Sequence, residues 1–160
     1  MIDKGVQDVT RPAPLLVLER SIRMQLRSQA TVVFAGDSVT DMHRQYQAEP
    51  GGWDSWGDGY VALINAALTA MYPELKLSVI NAGINGNTVV QLATRFDQDV
   101  LAHHPDVVSI MIGINDVWRY YDSQFRRRDD LVNCDLYAKT LQQLVTATKA
   151  RHAQVILMSP

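Results

Sequence analysis

The chain of 160 residues contains a single cysteine, Cys134, so no internal disulfide can form. No Cys/His spacing of the metal-binding kind is present either, and neither a metal nor a cofactor is expected. There is no excess of basic charge. The net charge of −2 excludes the positive field that nucleic acid would require. No apolar run is long enough to span a bilayer. The opening MIDKGVQDVTRPAP lacks the apolar core of a secretory signal, which makes the cytoplasm the expected location. Neither G-x-G-x-x-G nor G-x-x-x-x-G-K-[ST] follows any apolar run, which argues against a dinucleotide- or phosphate-binding domain. What remains is an ordinary globular composition, 47% hydrophobic and 20% charged, in a chain long enough for one domain with a real core.

Along the chain, short apolar runs alternate with helical stripes. Residues 1–30 read as an irregular arm, with Pro12 and Pro14, followed by a helix carrying Leu15, Leu18, Ile22 and Leu26. The domain proper is expected over 31–160. Val32–Ala35, Leu77–Ile80, Val107–Ile112 and Val155–Met158 read as buried strands. Between them lie stripes at helical spacing: Tyr60 to Met71, stopped by Pro73; Val89, Leu92, Phe96 and Val100; and Tyr137 to Thr148. Thr88 with Gln91 reads as a capping box. Residues 42–57 and 117–134 are expected to be long loops, the second with a charge run at Arg126–Arg128 and Asp129-Asp130. This alternation predicts a parallel sheet with right-handed crossovers and helices on both faces, a three-layer α/β/α sandwich.

In such sheets the functional loops sit at the carboxyl ends of the strands. Three of those ends carry polar, glycine-containing turns: Gly36-Asp37-Ser38, Gly83 to Thr88, and Gly113 to Asp116. A serine at a strand tip is a candidate nucleophile if donors are aimed at a developing oxyanion. Ser38 supplies the hydroxyl. The Ser38 N–H, the Gly86 N–H and the Asn115 side-chain amide are the candidate donors. Asp37, Thr40 and Asp41 are expected to brace the turn through local hydrogen bonds. Asp116 is expected to cap or hold its loop, and Arg95 either to pair a carboxylate or, the favoured reading, only to cover a helix face. Asp37, Trp53, Trp118 and Tyr121 are candidates for substrate contact.

The blocks GDSVTD, NAGINGNT and GINDVW, in that order and each after a strand, resemble the SGNH (GDSL) esterase family across residues 32–160. The stretches VSIMIGINDVWRYYD and GYVALINAALTAMYPEL are similar to bacterial intracellular acetylxylan esterases of that family. The resemblance implies a flavodoxin-like fold with Ser38 as nucleophile and Gly86 and Asn115 completing an oxyanion hole. It also implies removal of acetyl groups from xylo-oligosaccharides or other small acetylated esters.

The family's fourth block, Asp-x-x-His, supplies the general base, and no such block occurs here. The chain is therefore expected to be an incomplete version of the fold, short by about 40–60 residues at usual element lengths. His103, His104 and His152 precede strands, at the far end of the sheet from Ser38. His43 is on the correct side but follows a chain that turns away. Loss of the histidine in a serine triad costs about a million-fold in rate, so the 160-residue chain is expected to be weakly active or inactive alone. An uncovered sheet edge also predicts self-association into a homo-oligomer. The competing expectation is a non-catalytic carbohydrate-binding protein, with Trp53, Trp56, Trp118 and Tyr121 stacking on sugar rings.

Overall fold

The apolar run after Ala30 becomes the centre of the sheet. In a computed structural model, which describes residues 26–121 and 131–159, Thr31–Gly36 forms β1, and Val32 to Gly36 are all buried. β1 lies between β2 (Ser78–Gly83) and β3 (Val107–Met111), and β4 (Gln154–Met158) adds outside β3. The order is β2-β1-β3-β4 and every pairing is parallel. Parallel neighbours require crossovers, and helices provide them.

Side chains alternate across a strand, so β1 feeds two layers. Val33 and Ala35 join Ile80, Val108 and Ile110 under α3 (Val89–Asp99) and α5 (Cys134–Ala150). Val32 and Phe34 join Val79 and Val107 under α2 (Tyr60–Met71), which contributes Val61, Ile64 and Leu68. This is the three-layer α/β/α arrangement expected from the alternation of patterns. The start of α3 is the capping box at Thr88 and Gln91: the Gln91 N–H donates to Thr88 Oγ1 at 3.3 Å and the Thr88 N–H to Gln91 Oε1 at 2.9 Å. The Asn133 side chain caps α5, accepting from the Leu136 N–H at 2.8 Å.

Three stretches differ from expectation. β2 continues through Asn81, Ala82 and Gly83, where the polar Asn81 signalled a turn. Asn81 is buried, and its amide is satisfied within the fold, so its polarity does not end the strand. Residues 114–121, expected as turn and loop, form α4 (Ile114–Tyr121). Its apolar residues Ile114, Val117, Trp118 and Tyr121 fall at helical spacing but are exposed, while Asn115 and Arg119 stand four apart, as do Asp116 and Tyr120, and share faces. Residues 26–28, the end of the expected N-terminal helix, are not helical; Leu26 packs on the Val32–Phe34 cluster. The rest of that helix and the charge run at 126–130 lie outside the described residues.

The two sheet edges are treated differently. Trp56 Nε1 donates to the Val79 carbonyl at 2.7 Å, so the 42–59 loop lies along the outer edge of β2. β4 pairs only with β3 among the described residues, and Leu157 is 54% exposed. Its sequence QVILM carries none of the charges that usually protect a free edge. No helix among the described residues is long and apolar enough to cross a membrane.

Candidate active site

The site is assembled where β1, β2 and β3 end side by side, since Gly36 is in register with both Gly83 and Met111. Immediately after β1 the chain turns into α1 (Ser38–Asp41). The turn leaves no room for side chains. A Cβ on Gly36 would lie 2.2 Å from Thr40 Oγ1, and one on Gly83 would lie 2.3 Å from the Asp41 nitrogen. These two glycines let α1 rest directly on the strand ends. Asp37 is fully buried and caps α1, its Oδ1 accepting from the Val39 N–H at 3.0 Å. Ser38 is the first residue of α1 and is partly exposed.

α1 is anchored from several sides. The Asn81 amide nitrogen donates to the carbonyls of Thr40 (2.7 Å), Asp41 (3.3 Å) and Trp56 (2.9 Å), while its oxygen accepts from the Gly83 N–H (2.9 Å). The Thr40 hydroxyl meets the Tyr60 hydroxyl at 3.0 Å. Asp41 Oδ2 accepts from the Tyr46 hydroxyl and from the Asn85 N–H, at 2.5 and 3.1 Å. The second of these bonds ties α1 to the loop after β2.

That loop, Ile84 to Asn87, is held still from four elements. The Ile84 N–H donates to the Gly36 carbonyl at 3.1 Å. From α3, Arg95 donates through Nε to Asn87 Oδ1 (2.8 Å), through Nη1 to the Ala82 carbonyl (2.8 Å) and Asp99 (3.0 Å), and through Nη2 to the Gly36 carbonyl (3.2 Å). From α4, Asn115 Nδ2 donates to the Asn87 carbonyl at 3.0 Å, and Arg119 Nη2 donates to the Gly86 carbonyl. Gly86 has φ +77°, a conformation that a side chain would strain. Asp116 accepts from the Val89 N–H through both carboxylate oxygens, at 3.1 Å each, and so joins α4 to the start of α3.

Neither the Ser38 N–H nor the Gly86 N–H has a hydrogen-bond partner among the described residues. Asn115 uses its amide nitrogen on Asn87, and a carboxamide NH2 carries a second hydrogen. Three donors are thus available at one rim, on a frame fixed by buried polar groups. Burial pushes the Asp37 and Asp116 carboxyls above the usual carboxylate range. The Tyr137 hydroxyl is raised by burial and by the nearby charges of Asp116 and Asp37. Burial lowers Arg95, although it stays paired with Asp99. No cluster of three or more His, Cys, Asp or Glu among the described residues could hold a metal ion.

Several expectations need correction. Asp37, a candidate for substrate contact, is wholly buried and positions the turn instead. Arg95 does not merely cover a helix face but clamps three strand-end and loop acceptors. Trp53 is 85% exposed on the loop that runs down the β2 edge, two residues beyond Gly51, which lies against Val79 and Ser78, away from the strand tips. Trp118 and Tyr121 are exposed on α4, the helix that carries Asn115. His43 directs Nδ1 to Asp58 at 3.3 Å on the surface. His103 and His104 precede β3 and His152 precedes β4, at the opposite end of the sheet from Ser38. Asn81 and Arg119 are the residues that pattern reading missed, and for Arg95 it offered the carboxylate partner, Asp99, but not the clamp on the strand ends. The spacing of Arg119 four residues after Asn115 was the available signal for one of them.

Residues 34–160 match the GDSL-like lipase/acylhydrolase family. The chain belongs to that family. It is 47% identical over 137 residues to an acetylxylan esterase of Geobacillus stearothermophilus, covering 86% of this chain and 62% of that protein. The crystal structure of that esterase superposes with a TM-score of 0.79. An alpha/beta hydrolase enzyme from the metagenome of Lake Arreo, Spain, superposes at 0.77 with 42% identity, over 82% of this chain and 60% of that one. This GDSL-family chain therefore spans a little under two thirds of the length of these relatives. Catalytic mutants of the Geobacillus enzyme replace a serine, an aspartate or a histidine by alanine. In that enzyme the aspartate and histidine follow the serine at a greater distance than this chain continues past Ser38.

Proposed function

We propose that this chain carries the nucleophile and oxyanion hole of a serine carboxylic-ester hydrolase that removes acetyl groups from xylo-oligosaccharides or related carbohydrates. Ser38 Oγ attacks the ester carbonyl, the bond from the acetyl carbon to the sugar oxygen breaks, and the sugar leaves as its alcohol with the proton that the serine gave up, leaving an acetyl-enzyme. The Ser38 N–H, the Gly86 N–H and the Asn115 amide receive the oxyanion as it develops. Water then releases acetate. The observation that carries this reading is the pair of N–H groups at Ser38 and Gly86 that have no partner among the described residues, on adjoining strand ends, with the Asn115 amide braced on the Gly86–Asn87 loop. Both residues are partly exposed, so their N–H groups are open to a substrate oxygen, and in this reading the tetrahedral intermediate is their partner. The substrate class rests on the similarity to the Geobacillus acetylxylan esterase.

None of the four histidines makes a hydrogen bond with Ser38. A serine hydroxyl without a base is a poor nucleophile at neutral pH. Hydrolysis of p-nitrophenyl acetate by the 160-residue chain is therefore expected to be slow and to rise with added imidazole, which acts as the base from solution. The increment should be absent from Ser38→Ala, measured alongside to subtract the reaction of imidazole itself. Equal imidazole-dependent rates in the two proteins would remove Ser38 from the mechanism. Fast turnover without imidazole, lost in Ser38→Ala, would instead show that the chain holds its own base.

A further inference from the structure

α4 has two working faces. Asn115 and Arg119 reach the Gly86–Asn87 loop. Asp116, Val117, Tyr120 and Tyr121 turn toward α5 and wall a cavity of about 550 Å³, closed on the other side by Val132 and Tyr137. The volume is within the usual 300–1,000 Å³ or so of small-molecule sites. The cavity opens off the end of β3, since its floor includes Ile112 and Gly113. The Tyr137 hydroxyl donates to the Ile112 carbonyl at 2.9 Å, which fixes that ring against Gly113.

We infer that this cavity is the carbohydrate subsite of the esterase, holding a pyranose ring against Tyr120 and Tyr121 with Asp116 as acceptor for its hydroxyls. The inference rests on the proposed esterase reading and extends it to the part of the substrate that does not react. Chemistry favours a sugar over an acyl chain. A pyranose offers C–H faces for aromatic rings and O–H groups for a carboxylate. An acyl chain has no donor, whereas both Asp116 oxygens share the single Val89 N–H and keep lone pairs for a sugar hydroxyl. The two tyrosine rings meet edge to face, with centroids 5.3 Å apart, so together they form a corner and not a flat wall. Placement also fits. The cavity floor at Ile112 and Gly113 leads directly into the turn of α4 that carries Asn115, so the cavity lies beside the strand end from which that amide is presented.

The cavity contains its own reporter. Cys134 is the only cysteine of the chain, it is exposed, and it lines this cavity. Its alkylation by iodoacetamide is expected to slow about tenfold when xylotriose is present at ten times its dissociation constant. In Tyr121→Ala the xylotriose concentration that protects should rise about two- to tenfold, the worth of one aromatic contact. Tyr121 is 76% exposed, so this variant keeps the fold. An unchanged alkylation rate up to the solubility of xylotriose would overturn the inference. Protection by hexanoate but not by xylotriose would overturn the sugar assignment, and protection undiminished in Tyr121→Ala would overturn the placement. Turnover is read at Ser38 and protection at Cys134, so the esterase reading and this one can fail separately.

Discussion

Asn115→Ala is expected to lower the imidazole-supported turnover of acetyl esters by about a hundred- to a thousand-fold, with KM little changed. The fall should appear in kcat because the second amide hydrogen gains a strong partner only when the carbonyl oxygen acquires charge. In the resting protein one amide hydrogen already serves the Asn87 carbonyl at 3.0 Å, which fixes the side chain before substrate arrives. The variant therefore removes a preorganised donor and one brace of the Gly86–Asn87 loop. Arg119 on the Gly86 carbonyl and Arg95 on Asn87 retain the loop, so the protein should still fold. Steady-state kinetics at fixed imidazole measure the effect. A rate within about threefold of the parent would remove Asn115 from the oxyanion hole, since a working donor is worth far more.

Asn81→Ala should be the most damaging substitution for stability, at about 3 kcal/mol or more. One buried carboxamide satisfies three carbonyls and one N–H, and it does so between the end of α1, the 42–59 loop and the strand it sits on. Truncation leaves those groups buried without partners, and each orphaned group costs about 1–3 kcal/mol. Asn81→Asp should be no better. It replaces the donating nitrogen with an oxygen facing three carbonyl oxygens. For a chain of this size the loss corresponds to a fall in Tm of roughly 6–12 °C, read by thermal denaturation followed by circular dichroism. A shift of less than a degree or two would mean that water takes over the role of the amide.

The features visible in the sequence and those hidden from it divide along physical lines. Val33, Leu92 and Ile110 announced the sheet and its helices, because burying an apolar face needs a period that a reader can count. The Thr88–Gln91 box was legible because capping uses side chains at fixed short spacing. The three polar strand ends were legible, and the register of Gly36 with Gly83 and Met111 sets those ends side by side. The bracing was not legible. Asn81 to Thr40 spans 41 residues, and Arg95 to Gly36 spans 59. No local pattern marks a hydrogen bond between segments so far apart. α4 was missed for a related reason: it faces the Gly86 loop with Asn115 and Arg119 and the cavity with Asp116 and Tyr120. Its apolar stripe, Ile114, Val117, Trp118 and Tyr121, is exposed and its buried residues are the polar Asn115 and Asp116, the reverse of the pattern a core helix shows.

Covalent capture tests the proposed role of Ser38 most directly. p-Nitrophenolate is a far better leaving group than the serine alkoxide, so acylation should outrun deacylation and the chain exposed to p-nitrophenyl acetate and imidazole should accumulate an acetyl group. Peptide mapping by mass spectrometry should find that group on Ser38, and the same peptide from Asn115→Ala should acquire it far more slowly. Acetyl found only on lysines or tyrosines, with Ser38 unmodified under conditions that give turnover, would contradict a serine nucleophile held between the Gly86 and Asn115 donors.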